Sequence, residues 1–253
     1  MKTRLVLEAF GASDTGLIRK NNEDYFALVK EAGAYLVADG LGGEQGGEVA
    51  SQVAVETIAA YLRQLSRDEL TSNAQEHIHK AVQEAQVTVR AAAQGNPSLK
   101  GMASTLVLAL QHAQGRLQVV NIGDSRAYLY RNKKLQLLSQ DHSLVARLVR
   151  EGQLTPEEAR VHHLRNIVTQ VIGGDFPPKY HHTEICLKAR DIILLCSDGL
   201  WDMLLDERIG EILSQGGDAQ RLCSALIDAA RAAGGEDNVT VIVIEVQAQK
   251  KEA

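Results

Sequence analysis

Short apolar runs that read as β-strands recur along this chain, and five of them adjoin an aspartate set in a polar or Gly-rich motif. The motifs are Asn22-Glu23-Asp24, Asp39-Gly40-Leu41-Gly42-Gly43, Gly123-Asp124-Ser125-Arg126, Ser197-Asp198-Gly199 and Glu236-Asp237-Asn238. A strand end holds a short side chain rigidly, and carboxylates held close together repel unless cations stand between them. Their spread along the chain means that only a folded domain gathers them. The pattern points to a carboxylate-bound dinuclear or trinuclear metal centre, and so to an enzyme.

At 253 residues the chain fits one large domain or two small ones, with enough length to bury a substantial core. A net charge of −5 gives no electrostatic case for nucleic acid or an anionic membrane. An acidic protein still takes a phosphorylated substrate if bound cations reverse the charge locally. Cys186, Cys196 and Cys223 show no metal or redox spacing, and buried, reduced thiols are expected. The N-terminal Met1-Lys2-Thr3-Arg4-Leu5-Val6-Leu7-Glu8 lacks the apolar stretch of a signal peptide, and no segment approaches the roughly 18 apolar residues of a membrane span. A cytoplasmic location is expected.

No Pro/Ser-rich linker divides the chain, so a single domain over 1–253 is expected. Strand-like runs come first, at Val6 to Phe10, Tyr25 to Val29 and Tyr35 to Ala38. Helical spacing follows from Gly46 to about Leu65, and again from about Asn73 to Ala93, with Asn73 as N-cap and Glu76 completing a capping box. Strands are expected at Thr105–Leu110, Leu117–Ile122, Ala127–Tyr130, Leu135–Leu138, Thr183–Leu187, Ile192–Cys196 and Val239–Val246. The stretch from Ser143 to Pro178 is polar and irregular, with short helices at Leu144–Glu151 and Pro156–Val161 and Thr155 as the second one's cap. Two helices, about Glu207–Ser214 and Ala219–Ala233, precede the last strand. This order argues for an α+β domain with helices segregated on sheets.

Asp39-Gly40 is the most specific piece: the strand ends at Ala38, and Gly40 turns the backbone so that its carbonyl is usable by a hard cation. Asp124, Asp198, Asp237 and Asp24 repeat the strand-end placement. All these ligands are oxygen donors, which favours Mg²⁺ or Mn²⁺ over zinc. The histidines form no zinc spacing, and His77 and His79 face different ways on a helix. Two such ions lower the pKa of a shared water and neutralise a phosphoryl group during in-line attack. Arg19, in Arg19-Lys20-Asn21-Asn22-Glu23-Asp24, is placed to grip phosphate oxygens with a guanidinium fork.

These residues, in this order, closely resemble the PP2C-type (PPM) metal-dependent protein serine/threonine phosphatases, above all the compact bacterial members. The resemblance runs from Asp14-Thr15-Gly16-Leu17-Ile18-Arg19 to Gly235-Glu236-Asp237-Asn238-Val239-Thr240 and includes Asp141-His142-Ser143. It implies a four-layer α-β-β-α sandwich of two antiparallel sheets flanked by helices. It implies that Asp39 bridges two Mn²⁺ or Mg²⁺ ions, with the Gly40 carbonyl on one of them. Asp198 and Asp237 complete one sphere, Asp24 acts on the other partly through water, and Asp124 with Asp198 holds a third, weaker ion. Arg19 binds the substrate phosphate, and 143–178 is the flap beside the site. One departure stands out: where relatives carry a histidine, just after Asp-Gly or just after the glycine run, this chain has Leu41 and Glu44. The general acid is then Glu44, His142 or solvent.

The activity so implied is hydrolysis of phosphoserine and phosphothreonine by a metal-bound hydroxide, opposing a bacterial Ser/Thr kinase and acting on that kinase and its targets. A monomer is expected. No cysteine lies in a phosphate-cradling loop, which speaks against a cysteine nucleophile. A pseudophosphatase serving as a binding module would be marked by loss of Asp39 or Asp198, and both are present. A phosphodiesterase or nuclease would carry a basic groove, against the acidic balance.

Overall fold

Alternation along the strands sets the layers. Leu36 and Val37, Leu194 and Leu195, and Val243 and Ile244 are neighbours in sequence that point to opposite faces of a sheet, and all six are fully buried. Both faces of both sheets are therefore covered. In the computed structural model, which describes residues 4–113 and 115–249, the first sheet runs β1 (Arg4–Asp14), β11 (Val239–Gln249), β10 (Ile192–Cys196), β7 (Arg126–Arg131), β8 (Lys134–Leu137). The second runs β2 (Asp24–Val29), β3 (Ala34–Leu41), β5 (Leu106–Ala113), β6 (Arg116–Ile122), β9 (His181–Cys186), with β4 (Ala103–Ser104) pairing with the end of β3. Every pairing is antiparallel.

Val37, Val107, Val119, Leu195 and Ile244 fill the space between the sheets. Helices α1 (Gly43–Arg63) and α2 (Arg67–Gly95) cover the second sheet through Ile58, Leu62 and Ile78, packed in one core cluster with Leu36 and Leu108. After the short α5 (Asp198–Trp201), α6 (Asp206–Ser214) and α7 (Ala219–Ala232) cover the first sheet through Ile209, Leu222 and Leu226, which pack with Leu194 and Val243. This is the expected four-layer sandwich.

Several boundaries differ from the sequence expectation. The second long helix begins at Arg67, where Ser66 and Glu69 form the reciprocal capping box. Asn73 is a kink inside it, at φ −139° and ψ 38°, so the polar break read as a start is an irregularity within a longer helix. Strands β1 and β11 outrun their apolar runs because they pair with each other in unbroken register from Arg4↔Gln249 to Asp14↔Val239. Cys196 and Cys223 are buried, but Cys186 is exposed, at the end of β9, which pairs with only one neighbour.

Within 143–178, α3 (Leu144–Arg150) is capped by Ser143 and α4 (Pro156–Arg160) by Thr155. The far end of the segment is tied down. Ser104 and Ile172 exchange backbone hydrogen bonds of 2.9 and 2.8 Å, and Gln86 and Arg90 on α2 both donate to the Gly174 carbonyl.

Candidate metal centre

Sheet register brings the carboxylates together. Asp24 and Asp39 are cross-strand partners in the β2–β3 pair. In the first sheet Cys196 pairs with Arg126, so the chain two residues beyond each carries Asp198 and Asp124 toward one another. Asp237 lies two residues before β11, whose register against β10 brings it to the same end. The five residues thus gather at one end of both sheets, although Asp39 and Gly40 lie inside β3, which continues to Leu41 past the expected end at Ala38 because β4 pairs with Gly40 and Leu41.

The backbone around each is pinned. The Asp39 N–H donates to Thr105 Oγ1 (2.8 Å), while the Asp39 carbonyl accepts from the Thr105 N–H (2.8 Å) and from Ser104 Oγ (3.1 Å). Gly40 is required by close approach: a Cβ there would run into the Gly47 carbonyl, and the Gly40 N–H donates to the Glu23 carbonyl at 3.0 Å. Ser197 links the two sheets, because its Oγ donates to Asp24 Oδ2 (2.6 Å) and accepts from the Thr240 N–H (3.0 Å). Asn238 stitches the loop that carries Arg19: its Oδ1 accepts from the Glu23 N–H (2.7 Å), and its Nδ2 donates to the carbonyls of Thr15 (3.0 Å) and Asn21 (2.9 Å).

Asp39, Gly40, Asp124, Asp198, Asp237 and Arg19 line one pocket of about 720 Å³, together with Glu23. Asp24 does not line it; that carboxylate is buried beside Asp39, and its Oδ1 has no hydrogen-bond partner among the described residues. Among the described residues no three His, Cys, Asp or Glu side chains close on a common point as a ready ligand set. The carboxylates instead border an open space.

Burial, followed by the charges of Asp198, Asp24, Asp124 and Asp237, raises the Asp39 pKa well above the usual carboxylate range. Burial and then Asp124 and Asp237 do the same to Asp198. Asp24 and Asp124 are each pushed up to about 7, chiefly by burial. The hydrogen bond from Ser197 works against the shift at Asp24. A site that crowds oxygen anions against their own repulsion, one with an unpartnered buried oxygen, fits hard divalent cations in its donor chemistry.

At the rim, Arg19 Nη2 lies 2.6 Å from Asp237 Oδ2. One donor of the guanidinium is engaged there, and the fork carries further N–H groups for which no acceptor is found among the described residues. Behind Asp124, Trp201 Nε1 donates to the Asp124 carbonyl (3.0 Å), and the Arg126 guanidinium lies 3.7 Å over the Trp201 ring. Arg126 also grips Asp141 with three N–H···O contacts of 2.7 to 3.1 Å.

The candidate proton donors fare differently. His142 accepts the Gly123 N–H at Nδ1 (3.2 Å), faces neither large pocket, and burial lowers its pKa. Its ring braces the turn before Asp124 and is not aimed at a reacting group. The Glu44 side chain lies outside the described residues. Sequence reasoning passed over Thr105, Ser197, Asn238 and Trp201, which hold the carboxylates in place. Adjacency is a signal for Ser197 and Asn238, which each neighbour a predicted ligand, whereas Thr105 and Trp201 carry none.

The chain matches the family Protein phosphatase 2C over residues 19–237. It is 34% identical over 236 residues to the serine/threonine phosphatase stp of Listeria monocytogenes, covering 92% of this chain and 93% of that one. The fold superposes on the crystal structure of the Mycobacterium tuberculosis serine/threonine phosphatase PstP/Ppp with a TM-score of 0.85 at 38% identity, over 95% of this chain and 99% of that one. The PstP catalytic domain in complex with two manganese ions is also similar, with a TM-score of 0.83 and 38% identity over 96% of this chain and 99% of that one.

Proposed function

The chain belongs to the protein phosphatase 2C family, and from that premise we propose that its carboxylate pocket hydrolyses phosphoserine and phosphothreonine in proteins with Mn²⁺ or Mg²⁺ bound. The observation that carries the reading is one pocket in which Asp39, Asp124, Asp198 and Asp237 face a rim arginine. Bound there, divalent ions supply an activated water and neutralise charge on the phosphoryl group.

Asp39, with the Gly40 carbonyl beside it, would hold the divalent ions. Asp198 and Asp237 would help to hold one of them, and Asp124 with Asp198 a further, weaker one. Asp24 orients the site through Asp39, and Glu23, which faces the pocket, takes the wall position beside it. The spare N–H groups of Arg19 hold phosphate oxygens, while Asp237 fixes the guanidinium. No step runs through a cysteine, and His142, whose ring braces the Gly123 turn and lines neither pocket, is not placed to protonate the leaving group.

The whole chain acts as one catalytic unit and a monomer, with 143–178 as the flap beside the pocket. Its substrates are phosphoproteins, including a bacterial Ser/Thr kinase and the proteins that kinase modifies. Three unpaired cysteines support action in the reducing cytoplasm. Among the described residues no helix is long and apolar enough to cross a membrane.

Release of phosphate from a phosphothreonine peptide, measured with EDTA, Mg²⁺ or Mn²⁺, tests the proposal. Turnover that needs a divalent ion is expected. Equal turnover in EDTA, or none with either ion, would overturn it.

A further inference from the structure

A second cavity, of about 580 Å³, adjoins the carboxylate pocket and shares Asp124, Asn166 and Asp198 with it. The two differ in chemistry. One wall of the second is apolar and comes from α3 and α4, through Val145, Ala146, Val149 and Ala159. The facing side includes Leu137 and Leu205, which are 40% and 56% exposed. The arginines around it are engaged within the protein. Arg126 holds Asp141, Arg150 donates to the Asp141 carbonyl, and Arg160 donates to the carbonyls of Trp201 and Asp202. Arg165 lies 3.7 Å from Asp202. Asp202, Asp206 and Glu207 also line it, so the cavity offers a visitor an aliphatic surface with an acidic border.

Leu205 adds an independent observation. It occupies the N-cap of α6, where Ser, Thr, Asp or Asn would satisfy a free backbone N–H, and it makes no side-chain cap bond. An exposed leucine at a cap position costs the fold twice, in lost capping and in apolar surface left to water. A ligand that covers it recovers the second cost.

We propose that this cavity is a substrate subsite that takes an aliphatic side chain flanking the phosphorylated residue. The inference rests on the phosphatase reading and extends it to the substrate's sequence. Because the two cavities share their dividing residues, a peptide whose phosphate lies among the carboxylates has its neighbouring side chains at the second cavity's mouth. Aliphatic burial there adds binding that small phosphate esters cannot obtain.

The test compares kcat/KM, with Mn²⁺, for phosphothreonine peptides in which one leucine is moved through the flanking positions of a serine background. p-Nitrophenyl phosphate, which has no flanking residues, is the reference. The variants are Leu205→Asp, which supplies a favoured cap residue and so keeps the fold, and Ala146→Asp on the opposite wall. One flanking position should favour leucine by roughly ten-fold, and both variants should erase that preference while turnover of p-nitrophenyl phosphate stays unchanged. If no position favours leucine, or the preference survives both variants, the subsite is overturned and the phosphatase reading stands. If neither p-nitrophenyl phosphate nor any peptide is hydrolysed, the underlying reading itself fails and the subsite goes with it.

Discussion

The inner carboxylates and the rim of the same pocket are built by opposite means. Asp24 and Asp39 are set by strand register, and Asp124 and Asp198 lie two residues past the ends of the interior strands β6 and β10. Their backbones have little freedom, so burial and mutual repulsion appear as raised pKa values where they would otherwise drive the groups apart. Arg19 and Asp237 lie on turns, with side chains 54% and 33% exposed, and they are joined to each other. The sheets thus impose an electrostatic cost on the inner groups that a bound cation relieves, while the rim is close to neutral for folding. Function and stability should therefore be opposed inside and independent outside.

Replacing Asp39 gives the largest expected effect and the sharpest contrast. Asp39→Asn keeps the shape but removes a charge from the centre of the cluster. Turnover of a phosphothreonine peptide with Mn²⁺ should fall by roughly three orders of magnitude, the scale of losing one preorganised electrostatic element. In EDTA the same variant should melt at a higher temperature than wild type, because a buried repulsion is gone. A variant that loses activity and also melts lower would mean that Asp39 stabilises the fold, and the opposition would be false.

The next test is pH. Asp24 and Asp124 titrate at about 7 in the folded protein, against roughly 3.9 for an unfolded aspartate. Between those values the folded state binds more protons than the unfolded state, so metal-free stability falls as pH rises from about 4 through 7. Mn²⁺ should flatten that decline by taking the protons' place. The difference between melting curves in EDTA and in Mn²⁺, followed across this window, isolates the cluster from other carboxyls. A constant difference would show that the buried charges are not what the metal relieves.

The same contrast explains what was legible in the sequence. The carboxylates were visible because each is adjacent to a strand that could be read from its apolar run. Asp39 and Asp198, at the ends of Tyr35–Ala38 and Ile192–Cys196, needed no knowledge of the partner strand. Which strands meet was not legible: the Asp24↔Asp39 register and the approach of Asp124 to Asp198 are long-range pairings. For that reason Asp24 could be chosen as a site residue, while the placement of Glu23 in the pocket and Asp24 outside its lining could not. Ser197 and Asn238 look like ordinary turn residues, and their roles come from partners more than 170 residues away along the chain. Asn73 failed for a local reason, since two polar breaks in one helix compete as starts and only Ser66 carries the reciprocal Glu69 bond.

Gly199 probes the boundary between the two regions at a smaller scale. A Cβ there would meet the Asn238 carbonyl, which belongs to backbone and cannot swing away. Gly199→Ala should push the Asp198 turn away from the Asp237–Asn238 turn, at about 1–3 kcal/mol of stability in the manner of overpacking. Chemical denaturation measures that loss. Mn²⁺ titration should show weakened binding alongside it, and unchanged Mn²⁺ affinity would separate turn spacing from the ligand set.

Arg19→Ala should do least to the fold. The Arg19–Asp237 pair is exposed, and such pairs contribute on the order of 0–1 kcal/mol. Melting temperature should therefore hardly move. KM for a phosphothreonine peptide should rise about ten-fold, because the charge-assisted N–H groups that grip phosphate are lost. Freed of its partner, Asp237 should bind Mn²⁺ at least as well as before, since a competing cation has left its oxygen. A drop in Mn²⁺ affinity with unchanged KM would give Arg19 a different task, holding Asp237 in position for the metal, and would move it from the rim into the inner construction.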